Sequence, residues 1–112
     1  MSEFRVQQTE YFNGLLKELR KRYRRIEKDI DYFLAGINDV RDLGTSLGNN
    51  LYKARIKNSD AARGKSGGYR LITYLKLKDN TLTLIYIYSK SDISNVSEKQ
   101  LDEIVLKSFR QR

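Results

Sequence analysis

The chain has 112 residues, with 39 % apolar and 32 % charged residues, a formal net charge of +8 and a pI of about 9.8. Its length suits a single domain over residues 1–112, and its charge favours a polyanionic partner, either nucleic acid or an acidic protein. The lack of cysteine and histidine excludes disulfides, thiolate catalysis and the commonest metal ligand and general base. We therefore expect no metal and no cofactor. Because no stretch resembles a signal peptide or membrane span, we also expect a cytoplasmic location.

The first third of the chain predicts a strand followed by helix. Residues 2–6 alternate, with Phe4 and Val6 on one face, which is typical of a short strand, and Thr9 suits a helix N-cap. Apolar residues then recur at alternating steps of four and three, which forms one stripe along a helix. Period alone does not distinguish one long helix from a hairpin of two, although residues 23–25 favour a break. The stripe consists of Phe12, Leu16, Leu19, Tyr23, Ile26, Ile30, Phe33 and Ile37.

The remainder predicts three strands and a last helix. Residues 41–50 form a polar connection, and Asp79-Asn80 suits a tight hairpin turn between two alternating runs. Ser97 and Gln100 have capping-box spacing for the helix that follows. The order β-αα-β-β-β-α predicts an α+β domain with a mostly antiparallel sheet. The three strands are predicted over 51–57, 69–78 and 81–90, with a loop over 58–68.

Cations occupy alternate positions of the strand predicted over 51–57. Lys53, Arg55 and Lys57 share one face, where same-face neighbours lie about 6.5–7 Å apart, close to the phosphate spacing of an extended nucleic acid. Three unpaired cations repel one another, so such a face costs stability unless an anion occupies it. We interpret this face as a phosphate-binding surface. An ordinary solvated face is the alternative interpretation.

The following loop contains the string RGKSGGYR at residues 63–70. Its Gly-Lys-Ser fragment resembles the end of a P-loop, but Ser59 stands where that motif requires its first glycine, and a predicted strand follows instead of a helix. The glycines instead suit a flexible lip that carries Arg63 and Lys65, and Arg70 opens the next strand. A simple glycine-rich turn with two stray cations is the alternative.

Four motifs in this order resemble the HigB branch of the RelE/ParE toxin superfamily. They are Tyr52-Lys53-Ala54-Arg55, the basic loop of residues 63–68, Gly68-Tyr69-Arg70, and Tyr88-Ser89-Lys90. The resemblance extends over nearly the whole chain. It implies a RelE-like α+β fold, in which an N-terminal strand and a helical hairpin pack on a mostly antiparallel four-stranded sheet, with a C-terminal helix.

The resemblance implies a toxin of a type II toxin–antitoxin pair. Most such toxins cleave mRNA in the A site of the small (30S) ribosomal subunit, where the RNA's own 2′-OH attacks without a metal and leaves a 2′,3′-cyclic phosphate. The implied partners are an acidic antitoxin protein, the ribosome and its mRNA. The alternatives are a ParE-like DNA gyrase inhibitor and a non-catalytic nucleic-acid-binding regulatory domain.

This chemistry needs a base, positive charge for the phosphorane and an acid for the leaving oxygen. Because neighbouring cations lower the pKa of a lysine, Lys53 is the hypothesised base, with Arg55 and Arg70 as the phosphorane-stabilising residues. Lys90 or Tyr88 is the candidate acid. Tyr86 and Tyr88 are predicted to share a face with Leu82 and Leu84, so core packing is the alternative role of these tyrosines. The candidate RNA-backbone contacts are Lys57, Arg63 and Lys65.

One segment departs from the family pattern. Many RelE members carry an arginine and a tyrosine just after the last strand, whereas residues 91–96 of this chain contain neither. Either Lys90, Tyr88 or Asp92 substitutes for them, or the protein does not cleave RNA in the same way.

Overall fold

A computed structural model describes residues 4–60 and 67–110 of the chain, and these form the predicted α+β architecture. The early apolar stripe is divided into two helices, because the chain turns at residues 21–25, where a break was predicted. The elements are β1 (Arg5–Gln8), α1 (Glu10–Arg20), α2 (Ile26–Ala35), a 3₁₀ turn (Val40–Leu43), β2 (Thr45–Gly48), β3 (Leu51–Ile56), β4 (Tyr69–Lys76), β5 (Thr81–Ser89) and α3 (Glu98–Phe109).

Side-chain caps fix the starts of α1 and α3 as predicted. The Thr9 hydroxyl accepts a hydrogen bond from the Phe12 N–H at 3.0 Å. The Ser97 hydroxyl accepts one from the Gln100 N–H at 3.1 Å, and the Gln100 side chain accepts one from the Ser97 N–H at 2.8 Å. Each cap satisfies N–H groups that have no partner within the helix. No helix in the described part of the chain is both long and apolar enough to cross a bilayer.

The sheet has five strands in the order β1-β5-β4-β3-β2, in which β1 runs parallel to β5 and the other pairs are antiparallel. The predicted sheet had four strands, and the additional one is β2, which lies within the predicted polar connection. Its four residues are polar or half-buried and include a glycine, so they carry no strand pattern. Gly44 enters β2 at φ +101°, and a Cβ there would lie 2.3 Å from the Lys53 carbonyl oxygen.

Several strand boundaries differ from the prediction. β3 ends at Ile56 and β5 ends at Ser89, each one residue earlier than predicted. β1 ends at Gln8, two residues later than predicted. β4 ends at Lys76, so the hairpin turn spans residues 77–80 and is longer than the predicted Asp79-Asn80 turn. Asn80 closes this turn at φ +56°, a conformation that asparagine tolerates better than most residues.

Each face of the sheet has its own core. The helical hairpin covers one face, where Phe12 and Ile26 pack against Ile56, Leu71 and Ile87. On the opposite face α3 packs through Ile104 against one end of the sheet only, in a cluster with Leu51, Ile72 and Ile85.

A β-bulge in β5 decides which side chains face α3. Ile72 of β4 pairs with Tyr86 and Thr73 pairs with Leu84, which leaves Ile85 as the extra residue. A bulge of this kind shifts the alternation of side chains by one position. The prediction that Tyr86 and Tyr88 share a face with Leu82 and Leu84 is therefore wrong. Both leucines pack on the hairpin side and Tyr86 packs on the α3 side.

Candidate active site

The strand register brings four of the predicted site residues to one face. Arg55 of β3 lies directly opposite Arg70 of β4, which lies directly opposite Tyr88 of β5. Lys53 is the next same-face residue on β3 and pairs with Ile72. Because cross-strand partners share a face, these four side chains lie on the side away from the hairpin. We call Lys53, Arg55, Arg70 and Tyr88 the basic face.

The cations of the basic face have no ion-pair partner in the described part of the chain. Within residues 4–60 and 67–110, no carboxylate forms an ion pair with Lys53, Arg55 or Arg70. Arg55 and Arg70 are a directly opposed like-charge pair, an arrangement that disfavours folding. A bound anion would relieve this repulsion, which makes the basic face suited to a phosphate group.

Arg70 is held in place by the start of its own strand. Its side chain is 8 % exposed, and Nη1 donates hydrogen bonds to the carbonyl oxygens of Gly67 and Tyr69, the latter at 3.3 Å. A Cβ on Gly67 would lie 3.1 Å from Arg70 Nη2 and 2.7 Å from Lys90 Cγ. The absence of a side chain at Gly67 therefore lets Arg70 and Lys90 lie on either side of it. Any larger residue at this position would displace one of these two side chains.

Lys90 follows the end of β5 and lies beside the basic face. Its backbone N–H donates to the Gly68 carbonyl at 2.8 Å, and its Nζ donates to the Ser94 carbonyl. The side chain is half-buried. The lysine is thus fixed at both its backbone and its ammonium group, beside Gly67 and Arg70.

Tyr88 is the most buried member of the basic face. Its side chain is 3 % exposed, and its hydroxyl has no hydrogen-bond partner among the described residues. Burial raises the pKa of the Tyr88 phenol, and the nearby Arg70 charge opposes this effect only in part. The phenol is therefore neutral at physiological pH.

The segment of residues 91–96 is tied to the basic face and to the hairpin. Lys53 Nζ donates a hydrogen bond to Asn95 Oδ1 at 3.2 Å. Asp92, a candidate substitute for the missing family residues, forms an ion pair with Arg22 at 2.6 Å, so its carboxylate is already engaged. Sequence reasoning missed Asn95 and Arg22, because their partners are 42 and 70 residues away and no periodic pattern connects them.

Tyr23 extends this connection from the turn between α1 and α2. Hydrogen bonding to Ser89, opposed by burial and assisted by bonds to Ser91 and Arg22, lowers the pKa of its phenol. Its ring contacts Tyr69 edge-on, with the centroids 5.5 Å apart. The end of β5 is therefore fixed by the hairpin on one side of the sheet and by the segment of residues 91–96 on the other.

The predicted RNA-backbone residues are not gathered at the centre of the basic face. Lys57 follows the end of β3, is exposed, and lines a groove of about 380 Å³ together with Arg55 and residues of α2. Arg63 and Lys65 lie outside the described residues.

The fold and the basic face together define a small α+β domain with cationic side chains on one face of its sheet. The model of the protein family described as "RelE toxin of RelE / RelB toxin-antitoxin system" matches residues 5–109. The chain therefore belongs to the RelE toxin family, which confirms the predicted superfamily and the role of toxin in a toxin–antitoxin pair. The HigB branch stays a prediction.

Comparison with solved structures agrees on the fold. The chain is similar to a mutant of the E. coli toxin RelE, with two arginines replaced by alanine, in the free state. The TM-score is 0.51 and the identity 19 %, over 96 % of this chain and 98 % of that chain. At this identity the likeness concerns the fold alone. No curated protein matches the chain.

Proposed function

We propose that the protein is a ribosome-dependent endoribonuclease that cleaves mRNA by attack of the RNA's own 2′-OH. The observation that carries this proposal is the row formed by Arg55, Arg70 and Tyr88, with Lys53 on the neighbouring pair. Among the described residues, no acid forms an ion pair with any of these cations. A phosphodiester that becomes a dianionic phosphorane needs such positive charge.

Lys53 is the proposed base. It takes the 2′-OH proton as the O2′–P bond forms, which creates the phosphorane, and then the P–O5′ bond breaks to leave a 2′,3′-cyclic phosphate. Arg55 and Arg70 stabilise the phosphorane charge, and the planar guanidinium group suits two-point contacts to phosphate oxygens. Neither step requires a metal or cofactor.

Lys90 is favoured over Tyr88 as the acid that protonates the leaving 5′-oxygen. The Tyr88 hydroxyl is completely buried, so the substrate cannot reach it. Burial also raises the pKa of the phenol, which makes it a weaker acid. Lys90 is half-buried and lies against the glycine that separates it from Arg70. Tyr88 would then act by supporting the Arg70 guanidinium from within the sheet.

The proposed partners follow from the same charge. An acidic antitoxin would neutralise the protein by covering the basic face or the groove beside the helical hairpin. On the ribosome, Lys57, Arg63 and Lys65 would contact the backbone of mRNA or ribosomal RNA at the 30S A site. These interactions would take place in the cytoplasm.

In vitro translation combined with primer extension on the mRNA tests this function. We expect translation arrest and a discrete cut that requires the ribosome. Absence of both would refute the proposal. A DNA gyrase supercoiling assay on the same preparation separates the ParE-like alternative, for which supercoiling is inhibited while the mRNA stays intact. RNA binding without either effect would indicate a non-catalytic regulatory domain.

A further inference from the structure

The segment of residues 91–96 is anchored at both ends. Asp92 is paired with Arg22 at 2.6 Å, and the Ser94 carbonyl accepts a hydrogen bond from Lys90 Nζ. At its other end Val96 packs into the apolar cluster beneath α3. The segment therefore holds a defined position beside the basic face, although it belongs to no helix or strand.

Asn95 presents its side-chain oxygen to Lys53 from this segment. Asn95 Oδ1 accepts a hydrogen bond from the Val96 N–H at 2.9 Å and another from Lys53 Nζ at 3.2 Å. Because a backbone N–H requires an acceptor, the first bond determines which amide atom is the oxygen and where it points. The acceptor is therefore oriented by the chain itself, independently of the lysine.

We propose that Asn95 is the positioning residue of the catalytic base, and that its neutral carboxamide directs the Lys53 lone pair towards the substrate 2′-OH. This inference rests on the proposed function. A neutral amine that donates one hydrogen to Asn95 Oδ1 has its lone pair restricted to the two remaining positions on Nζ, both of which point away from the amide. A free lysine side chain would instead rotate about its terminal bond and lose this alignment.

The charge of the acceptor matters because the base must reach its neutral form. The groups around Lys53 are Arg55 on the same strand, Arg70 on β4, and Tyr86, Tyr88 and Lys90 from β5 and its end. Thr45, its partner on β2, has no charge. All of these are cationic or neutral at pH 7. Of the acids on the neighbouring elements, Asp92 is paired with Arg22, and Glu103 of α3 lines a cavity with Tyr86 and Val96. A carboxylate at position 95 would favour the ammonium form, whereas an amide supplies an acceptor without that effect.

The inference is tested by single-turnover mRNA cleavage on programmed ribosomes across a range of pH. Asn95→Asp is expected to move the rising limb of the rate profile to higher pH by about one pH unit. Asn95→Ala is expected to lower the rate by on the order of 10- to 100-fold. Unlike Asn95→Asp, it should leave the rising limb of the pH–rate profile at its wild-type pH. Asn38→Asp, in an exposed position after α2, is the matched control for added charge and should leave the profile unchanged.

A double-mutant cycle distinguishes positioning of the base from general support of the fold. If Asn95 acts through Lys53, then Asn95→Ala should cost little further activity in the Lys53→Ala background. An equal loss in both backgrounds would overturn the inference, as would an unchanged rate for Asn95→Ala with wild-type pH dependence for Asn95→Asp. If the wild type itself cleaves no mRNA, the proposed function fails instead.

Discussion

Arg70 and Leu71 are adjacent in the chain and lie on opposite faces of the sheet. Leu71 is fully buried beneath the helical hairpin, in a cluster with Ile56 and Ile87. Arg70 lies on the other face, where α3 covers the end near Leu51 and leaves Arg55 exposed. The face under the hairpin thus contributes to stability, whereas the opposite face carries the candidate site. Adjacent residues contribute to different faces because side chains alternate along a strand. Substitutions on the two faces should therefore have different effects.

The largest expected effect is on the basic face. Lys53→Ala removes the proposed base and should lower the single-turnover cleavage rate by on the order of 10²- to 10⁴-fold. The free energy of unfolding should change little, because Lys53 is half-buried and has no ion pair among the described residues. Lys78→Ala removes the same charge from the exposed hairpin turn and serves as the control. Equal rates for the two variants would argue against a catalytic role.

On the hairpin face the expected effect is on stability. Leu71→Ala should lower the free energy of unfolding by about 2–5 kcal/mol, because it leaves a cavity among fully buried side chains. Urea denaturation measures this loss. Leu77→Ala, at a side chain that is 62 % exposed, should change it by less than about 0.5 kcal/mol. If both variants unfold at the same urea concentration, the hairpin face does not hold the core described above.

Gly67 is a structural residue in direct contact with two residues of the candidate site, Arg70 and Lys90. Gly67→Ala should displace Lys90 or Arg70 and lower the cleavage rate by about 10- to 100-fold. Gly14→Ala is the matched control, because nothing lies within 4 Å of the added methyl group and the glycine is within α1. This control should raise stability by about 0.5–1 kcal/mol and leave cleavage unchanged. Wild-type cleavage by Gly67→Ala would show that the close packing at this glycine is not needed.

The smallest expected effect is at Tyr69. Its hydroxyl is buried without a partner among the described residues, so Tyr69→Phe should raise the free energy of unfolding by about 1 kcal/mol at pH 7. Burial, reinforced by Asp29 and Asp60, raises the Tyr69 pKa well above its ordinary value of 10.0.

This shift has a defined sign in the stability of the wild type. Relative to the ionised phenol, the folded state favours the neutral one; this contribution is fully present below pH 10 and is lost as the pH rises above 10 towards the folded-state pKa. Urea denaturation between pH 7 and 11 should therefore show a shallower alkaline loss for Tyr69→Phe than for the wild type. Parallel curves would contradict the burial argument.

Local patterns predicted most of the fold. The 4-3 apolar stripe identified the helical region, and the family resemblance divided it into a hairpin of two helices. Capping residues located the starts of α1 and α3. The strand β2 was missed because Thr45–Gly48 is a short edge strand without apolar alternation. The predicted face of Tyr86 was wrong because of a one-residue bulge in β5. A bulge has no recognisable sequence pattern, yet it moves every later side chain of the strand to the opposite face of the sheet.

The residues of the candidate site could be predicted from the sequence, but most of the contacts that hold them in place could not. Alternation placed Lys53 and Arg55 on one face, and family resemblance added Arg70, Tyr88 and Lys90. The contacts of Lys53 with Asn95 and of Arg22 with Asp92 depend on how distant segments meet, which no local pattern encodes. The roles of all these residues stay predictions until they are tested.

The central claim is that Arg55 and Arg70 act on the same phosphate, and a double-mutant cycle on cleavage tests it most directly. Single-turnover rates of Arg55→Ala, Arg70→Ala and the double variant would be compared, with the free energy of unfolding of each measured in urea. Because Arg55 and Arg70 are cross-strand partners on one face of the sheet, the combined loss should be smaller than the product of the single losses. A fully multiplicative loss, or wild-type cleavage by Arg55→Ala, would contradict a shared phosphate.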